Sequence, residues 1–181
     1  MIKYFPILES KFRKVKRSVG KSWKVDETYI KVKGHWVYYY RAVDKDGQTI
    51  DFYLSPTRDA EAARLFFEKA IGSSGCPEKV NINKSGANLA SLQHINSSLP
   101  KDQNIMIRQV KYLNNRVEQD HRAIKRKTKP MMGFKNFVSA AETLTGIELA
   151  HMIKKGQGLW NQTLSFWEQF YCYCRIIAFK I

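Results

Sequence analysis

The stretch SWKVDETYIKVKGHWVYYYRAVDKDGQTIDFYLS, residues 22–55, is rich in Val, Ile, Tyr and Trp and is broken by turn residues at Lys33-Gly34 and at Asp44-Lys45-Asp46-Gly47. β-Branched and aromatic side chains suit a pleated, half-buried surface, and short glycine-containing breaks close hairpins. The stretch therefore predicts three strands in an antiparallel meander. Further along, the pattern changes. PTRDAEAARLFFEKAIGSSG (56–75) predicts a helix capped by Asp59, lined by Ala62, Leu65, Phe66 and Ala70, and ended by Gly72 and Gly75. EKVNIN (78–83) is a short fourth strand, SGANLASLQHINSSLP (85–100) a helix stopped before Pro100, and QNIMIRQV (103–110) a fifth strand. A basic helix starts near Asn114 or Asn115 and runs to about Lys127. After the loop TKPMMGFKN, a final helix over FVSAAETLTGIELAHMIKKGQ (137–157) has Gly146 as its weak point.

The predicted order is β-β-β-α-β-α-β-α-α. A meander followed by strand-helix alternation makes a mixed sheet with helices on its faces, and right-handed crossovers leave few topologies. This order resembles the ribonuclease-H-like fold of retroviral integrases: an α/β fold with a mixed five-stranded sheet and helices on both faces. Three segments are expected: a basic N-terminal arm (1–21), the α/β domain (22–157) and an aromatic-rich C-terminal extension (158–181).

Charge narrows the function. The chain has 181 residues and a net charge of +15, too lopsided for a neutral housekeeping fold and pointing to a polyanion or an anionic surface. The excess is concentrated in two segments. Residues 1–24 carry eight Lys and Arg against Glu9 alone, and residues 108–129 carry eight more against Glu118 and Asp120. Two such segments in a chain balanced elsewhere favour nucleic acid. Three cysteines, Cys76, Cys172 and Cys174, make no C-x-x-C pair and have no zinc-site spacing to a histidine, so reduced thiols are expected. The start lacks the apolar core of a signal peptide. The apolar tail FYCYCRIIAFKI is short and interrupted by Arg175 and Lys180, so no membrane span is expected.

Three polar positions invite chemistry. Asp26 sits mid-strand, where a carboxylate must be paired, metal-bound or at an edge. Its neighbour Glu27 should point to the opposite face and stay out of any site Asp26 makes. Asn83 ends the fourth strand, at the carboxyl end where ligands gather in sheets with βα crossovers; taken locally it is an ordinary turn residue. On the basic helix, Leu113, Val117 and Ile124 form a core-facing stripe, while Glu118, Arg122 and Lys125 share an adjacent polar one. His121, three residues after Glu118, reads as a surface histidine beside the site. Asp120 lies about 200° round the helix from Glu118 and substitutes for it poorly.

These residues resemble the DDE-type transposases of bacterial and archaeal insertion sequences, in particular the short elements that move by replicative cointegrate formation. SWKVDETYIKVKGHWVYYYRAVDKDGQTIDFYLS resembles that group's first-Asp motif, KVNINKSGANLASL its second, and KYLNNRVEQDHRAIKRKTKPMMGF its Glu motif. The resemblance is close from about Ser22 to Gln157, plausible for ESKFRKVKRSVG before it, and weak after Gly158. It places the first Asp on Asp26, the Glu on Glu118 and a basic residue on Lys125. In this group thirty-four residues separate the second and third acids, the number spanned by residues 84–117, so the second acid falls on Asn83.

The resemblance implies phosphoryl transfer. Water, then a 3′-hydroxyl, attacks a DNA phosphodiester between two Mg²⁺ (or Mn²⁺) ions held by three carboxylates. The expected ligands are Asp26 and Glu118, with weak help from Asn83, whose amide brings one neutral oxygen where a carboxylate brings two anionic ones. Lys125 is expected on a phosphate, with Arg122, Arg126, Lys127 and Lys111 as further phosphate contacts. The implied partners are double-stranded DNA, at element ends and target, and a second copy or an intact transposase. The implied location is the prokaryotic cytoplasm, at the nucleoid. With only about 24 residues before the Asp26 strand, the family's helix-turn-helix domain is not expected in this sequence.

Two other functional classes compete with a transposase of impaired activity. One is a non-catalytic DNA-binding remnant that associates with intact transposase. The other is a small RNA-binding protein using HWVYYYR (35–41) as a stacking strip, disfavoured because consecutive aromatics on a strand cannot all share one face.

Overall fold

The computed structural model describes residues 4–110, 115–158 and 164–178. Two compact units emerge. One is Val19–Gly133, and the other consists of the described parts of residues 1–18 and 134–181.

The first unit is built on a five-stranded sheet of order β3-β2-β1-β4-β5. Strands β1 (Ser22–Val32), β2 (His35–Asp44) and β3 (Thr49–Ser55) form the predicted antiparallel meander. The hairpin turn between β1 and β2 is tight, with Lys33 at φ 49° and Gly34 at φ 82°. Strands β4 (Lys79–Ile82) and β5 (Met106–Gln109) add in parallel, each reached through a helix. Those crossover helices are α2 (Ala60–Ser74) and α3 (Gly86–Ser98). Helix α4 (Asn115–Thr128) follows β5. Lys111 and Leu113 lie outside the described residues.

Alternation decides which residues each face buries. Trp23 and Val25 of β1, Tyr40 and Ala42 of β2, and Val80 and Ile82 of β4 join Ala63, Phe66, Phe67 and Ala70 of α2 and Leu92 of α3 in one core. Each of these side chains is removed from water almost completely, and burial of that kind is worth about 1.5–3 kcal/mol for a large apolar side chain. Helix α2 starts as the sequence predicts, with the Asp59 carboxylate accepting from the Ala62 N–H at 2.8 Å. It continues through Gly72 and ends at Gly75 (φ +81°), whose N–H reaches the Ile71 carbonyl. Its buried stripe takes in Ala63 and Phe67, while Leu65, expected inside, is exposed. Asp44 closes the β2–β3 turn, accepting from the N–H groups of Asp46 and Gln48, and a third bond from Gly20 ties down the lead into β1.

The second unit contains helices α1 (Phe5–Val15), α5 (Phe137–Lys154) and α6 (Phe166–Ala178). The segment read as a basic arm thus holds a helix, on which Phe12 is buried and meets Tyr173 edge-on with centroids 5.0 Å apart. Gly146 proves no weak point. Helix α5 runs straight through it, and the ring of Phe5 occupies the space where a Cβ would stand, 2.6 Å away. Among the aromatics of α6, Tyr173 is buried and Phe170 partly so, while Trp167 and Tyr171 face solvent. Among the described residues no helix is long and apolar enough to cross a membrane.

Candidate active site

Parallel pairing of β1 with β4 sets the geometry. Lys24 pairs with Asn81, so the residue two beyond Asn81 comes level with Asp26. That residue is Asn83, just past the end of β4. Its Nδ2 donates to Asp26 Oδ1 at 2.9 Å, and its Oδ1 accepts from the Ser85 N–H at 3.0 Å. The sequence-predicted pair therefore meets at the carboxyl end of the parallel strands.

Glu27 corrects the reading by strand alternation. It does lie on the opposite face, level with Tyr40, yet its Oε2 accepts from the same Asn83 Nδ2 at 3.0 Å. Asn83 has left the pleat, so its amide can bridge the two faces. Glu27 is held from behind by Asn88 Nδ2 at 3.0 Å on its other oxygen, and Arg58 Nε lies 3.7 Å away. With its side chain almost wholly buried, Glu27 is a fixed anion behind the candidate site.

Helix α4 covers the Asp26 face. Val117, His121 and Ile124 are buried among its described residues, and Asp120 lies beside them. Arg41, the cross-strand partner of Asp26, is fully buried with Nη2 3.4 Å from Asp120 Oδ2. His121, expected on the surface, is buried with Nε2 3.7 Å from Asp26 Oδ2. The distance would suit an ion pair, but burial first, then Arg41 and Lys125, push the imidazole down to about 3, so it is neutral at physiological pH. The spacing 117-121-124 was the signal that places His121 with the apolar stripe.

Glu118, Arg122, Lys125, Arg126 and Lys127 are exposed on α4. Among the described residues no hydrogen bond or ion pair joins Glu118 to Asp26 or Asn83. Its charge is nonetheless felt: burial, then Glu27, and more weakly Glu118 raise the Asp26 carboxyl to about 6.

That shift fixes a pH dependence. A carboxyl with a folded pKa near 6 and an unfolded value near 3.8 is protonated more readily in the folded state, so stability falls as pH rises between the two. The ionised form then costs the metal-free fold about 3 kcal/mol above pH 6, on the scale of 1.36 kcal/mol per pKa unit. Asp26→Asn in chelator should be about 2–3 kcal/mol more stable than the parent at pH 8 and no more stable at pH 4. Urea unfolding across that range checks this; a pH-independent difference would contradict it.

The donor set can be tested against the divalent ions that the fold family implies. Asp26 and Glu118 offer hard anionic oxygens suited to Mg²⁺. Asn83 as oriented offers N–H hydrogens toward the acids, and its one oxygen is taken by Ser85. Among the described residues no three His, Cys, Asp or Glu side chains gather closely enough to hold an ion. The residues present do not fit a two-metal cluster.

Residues 20–157 match the DDE domain family of IS240-type transposases. The chain belongs to the DDE transposase family. It is 36% identical over 153 residues to the Staphylococcus aureus transposase for the insertion sequence-like element IS431mec, a match covering 84% of this chain and 66% of the relative. The same figures hold for the S. aureus transposase of IS257 in transposon Tn4003. The chain thus spans about 66% of the length of these relatives. Among solved structures, the catalytic core domain of BIV integrase aligns with a TM-score of 0.55 at 18% identity, covering 89% of this DDE chain and 99% of that one. The HTLV-2 integrase catalytic core domain, solved in complex with magnesium, aligns at 0.51 and 19% identity, covering 61% and 71%. These likenesses bear out the ribonuclease-H-like α/β fold.

Proposed function

We propose that this DDE chain is the core of an insertion-sequence transposase whose metal-dependent DNA strand cleavage and transfer are impaired at Asn83. One observation carries the reading: Asn83 stands beside Asp26 at the strand ends, where the second carboxylate of the family's site is expected, and turns its NH₂ to two acids. Asp26 and Glu118 are the metal ligands in this reading, and Lys125 neutralises a phosphate of the bound strand. Asn83 supplies hydrogen bonds where a carboxylate would supply an anionic ligand, so the site would hold divalent ions weakly. The segment 22–157 is the catalytic region, and residues 1–21 and 158–181 flank it. Double-stranded DNA, at element ends and target, is the substrate, and a second copy or an intact transposase is the partner.

The exposed α4 residues Arg122, Lys125, Arg126 and Lys127 support duplex binding through phosphates. Affinity for a blunt duplex should then fall linearly with log salt, by about 0.9 per phosphate neutralised, and Lys125→Gln should lower that slope by about one. A filter-binding salt series measures both, and a flat series would refute phosphate binding. Strand transfer on element-end oligonucleotides, run for the parent beside Asn83→Asp, tests the impairment: equal rates would refute it.

A further inference from the structure

Strand alternation divides the aromatics of the β1–β2 hairpin. Tyr39 and Tyr40 are buried on opposite faces of the sheet, Tyr40 stacked on Phe66. Tyr29, Trp36 and Tyr38 share the Glu27 face toward the hairpin tip, with Tyr38 partly buried against that core. Trp36 is 63% exposed and Tyr29 46%. Their rings form a continuous strip: Tyr29 meets Trp36 at 6.5 Å between centroids and Tyr38 at 5.3 Å. The Lys31 ammonium lies 6.0 Å over the Trp36 ring, and Lys33 and His35 are exposed at the turn. Residues 28–43 contain no Asp or Glu.

We propose that Tyr29, Trp36 and Tyr38, rimmed by Lys31 and Lys33, form a stacking platform for unpaired DNA bases leading to the candidate site. The chemistry is that of single-strand binding, in which aromatic faces stack on bases of any sequence while cations hold the backbone. An acid-free, lysine-rimmed aromatic strip complements a polyanion. Its position fits, because Trp36 pairs with Lys31, four residues along β1 from Glu27, which is about 13 Å at the rise of a strand. This platform rests on the reading that the chain handles DNA.

The test uses the full chain with two probes, an oligo-dT single strand and a blunt duplex of equal nucleotide count. Trp36→Ala should weaken single-strand binding about tenfold and leave duplex binding unchanged, as expected for the loss of one stacked base. Trp36→Phe should retain most of the affinity, which separates stacking from a folding defect. Equal losses on both probes, or none, would overturn the platform while leaving duplex binding intact as a property of the chain. A parent chain that binds neither probe would overturn the DNA reading and the platform together. If Trp36→Ala instead lowers the oligomeric state in sedimentation, with single-strand affinity unchanged, the strip is a contact between copies and the proposal fails.

Discussion

Asn83→Asp should raise Mg²⁺- or Mn²⁺-dependent strand transfer about a thousandfold over the parent chain. A unit charge about 4 Å from a metal interacts with it by on the order of 4 kcal/mol at an effective dielectric near 20. At 1.36 kcal/mol per tenfold, that amounts to about three orders of magnitude in rate. The local geometry permits the exchange. Aspartate keeps the oxygen that accepts from the Ser85 N–H and loses the amide hydrogens now donated to Asp26 and Glu27. Three carboxylates then crowd together without a donor between them, so in chelator the variant should melt below the parent, and Mn²⁺ should restore it. The parent's melting temperature should hardly respond to the metal. A variant that neither gains rate nor answers to metal would remove Asn83 as the cause of impairment.

Arg41→Met should cost about 3–5 kcal/mol in urea unfolding, the largest loss expected from a single side chain near the site. Arg41 is fully buried on β2, and its guanidinium faces the Asp120 carboxylate on α4. Removing the cation takes this charged partner away from the carboxylate between helix and sheet. Asp120→Asn added to Arg41→Met should recover part of the loss, because the carboxylate charge that faced the guanidinium is gone, and the double-mutant cycle then measures the coupling directly. The same substitution removes one of the charges that hold His121 neutral, so the imidazole pKa, read by NMR, should rise. A loss near 1 kcal/mol with no coupling would mean that apolar packing alone seats α4.

The sheet and its crossovers were legible because their signals are local. Alternating β-branched and aromatic residues, two glycine turns and an Asp cap settle β1 to β3 and α2 without reference to the rest of the chain. Helix α1 was not legible: its lysines and arginines outweigh a single well-buried Phe12, and a basic segment looks alike whether helical or free. At the candidate site, alternation placed Glu27 on the correct face yet missed its bond to Asn83. That bond depends on how a side chain leaves the end of a strand, which no periodicity encodes. His121 was misjudged for a different reason, since its charged neighbours on α4 masked its register with Val117 and Ile124. Nothing local in the strand marks Arg41 as enclosed; the packing of α4 onto that strand is what reveals it.

The unequal lengths of the strands have a consequence of their own. Pairing of β1 with β4 stops at Lys24, well short of the strand's end at Val32, and a strand flank left open is the kind of surface on which copies of a protein zip together into aggregates. Gly133, at φ +101°, lies against the backbone of Lys31 so closely that a Cβ would stand 3.1 Å from its carbonyl oxygen. The loop leaving α4 is therefore a hem sewn over part of that flank, and the lack of a side chain at one residue is what lets it lie flat.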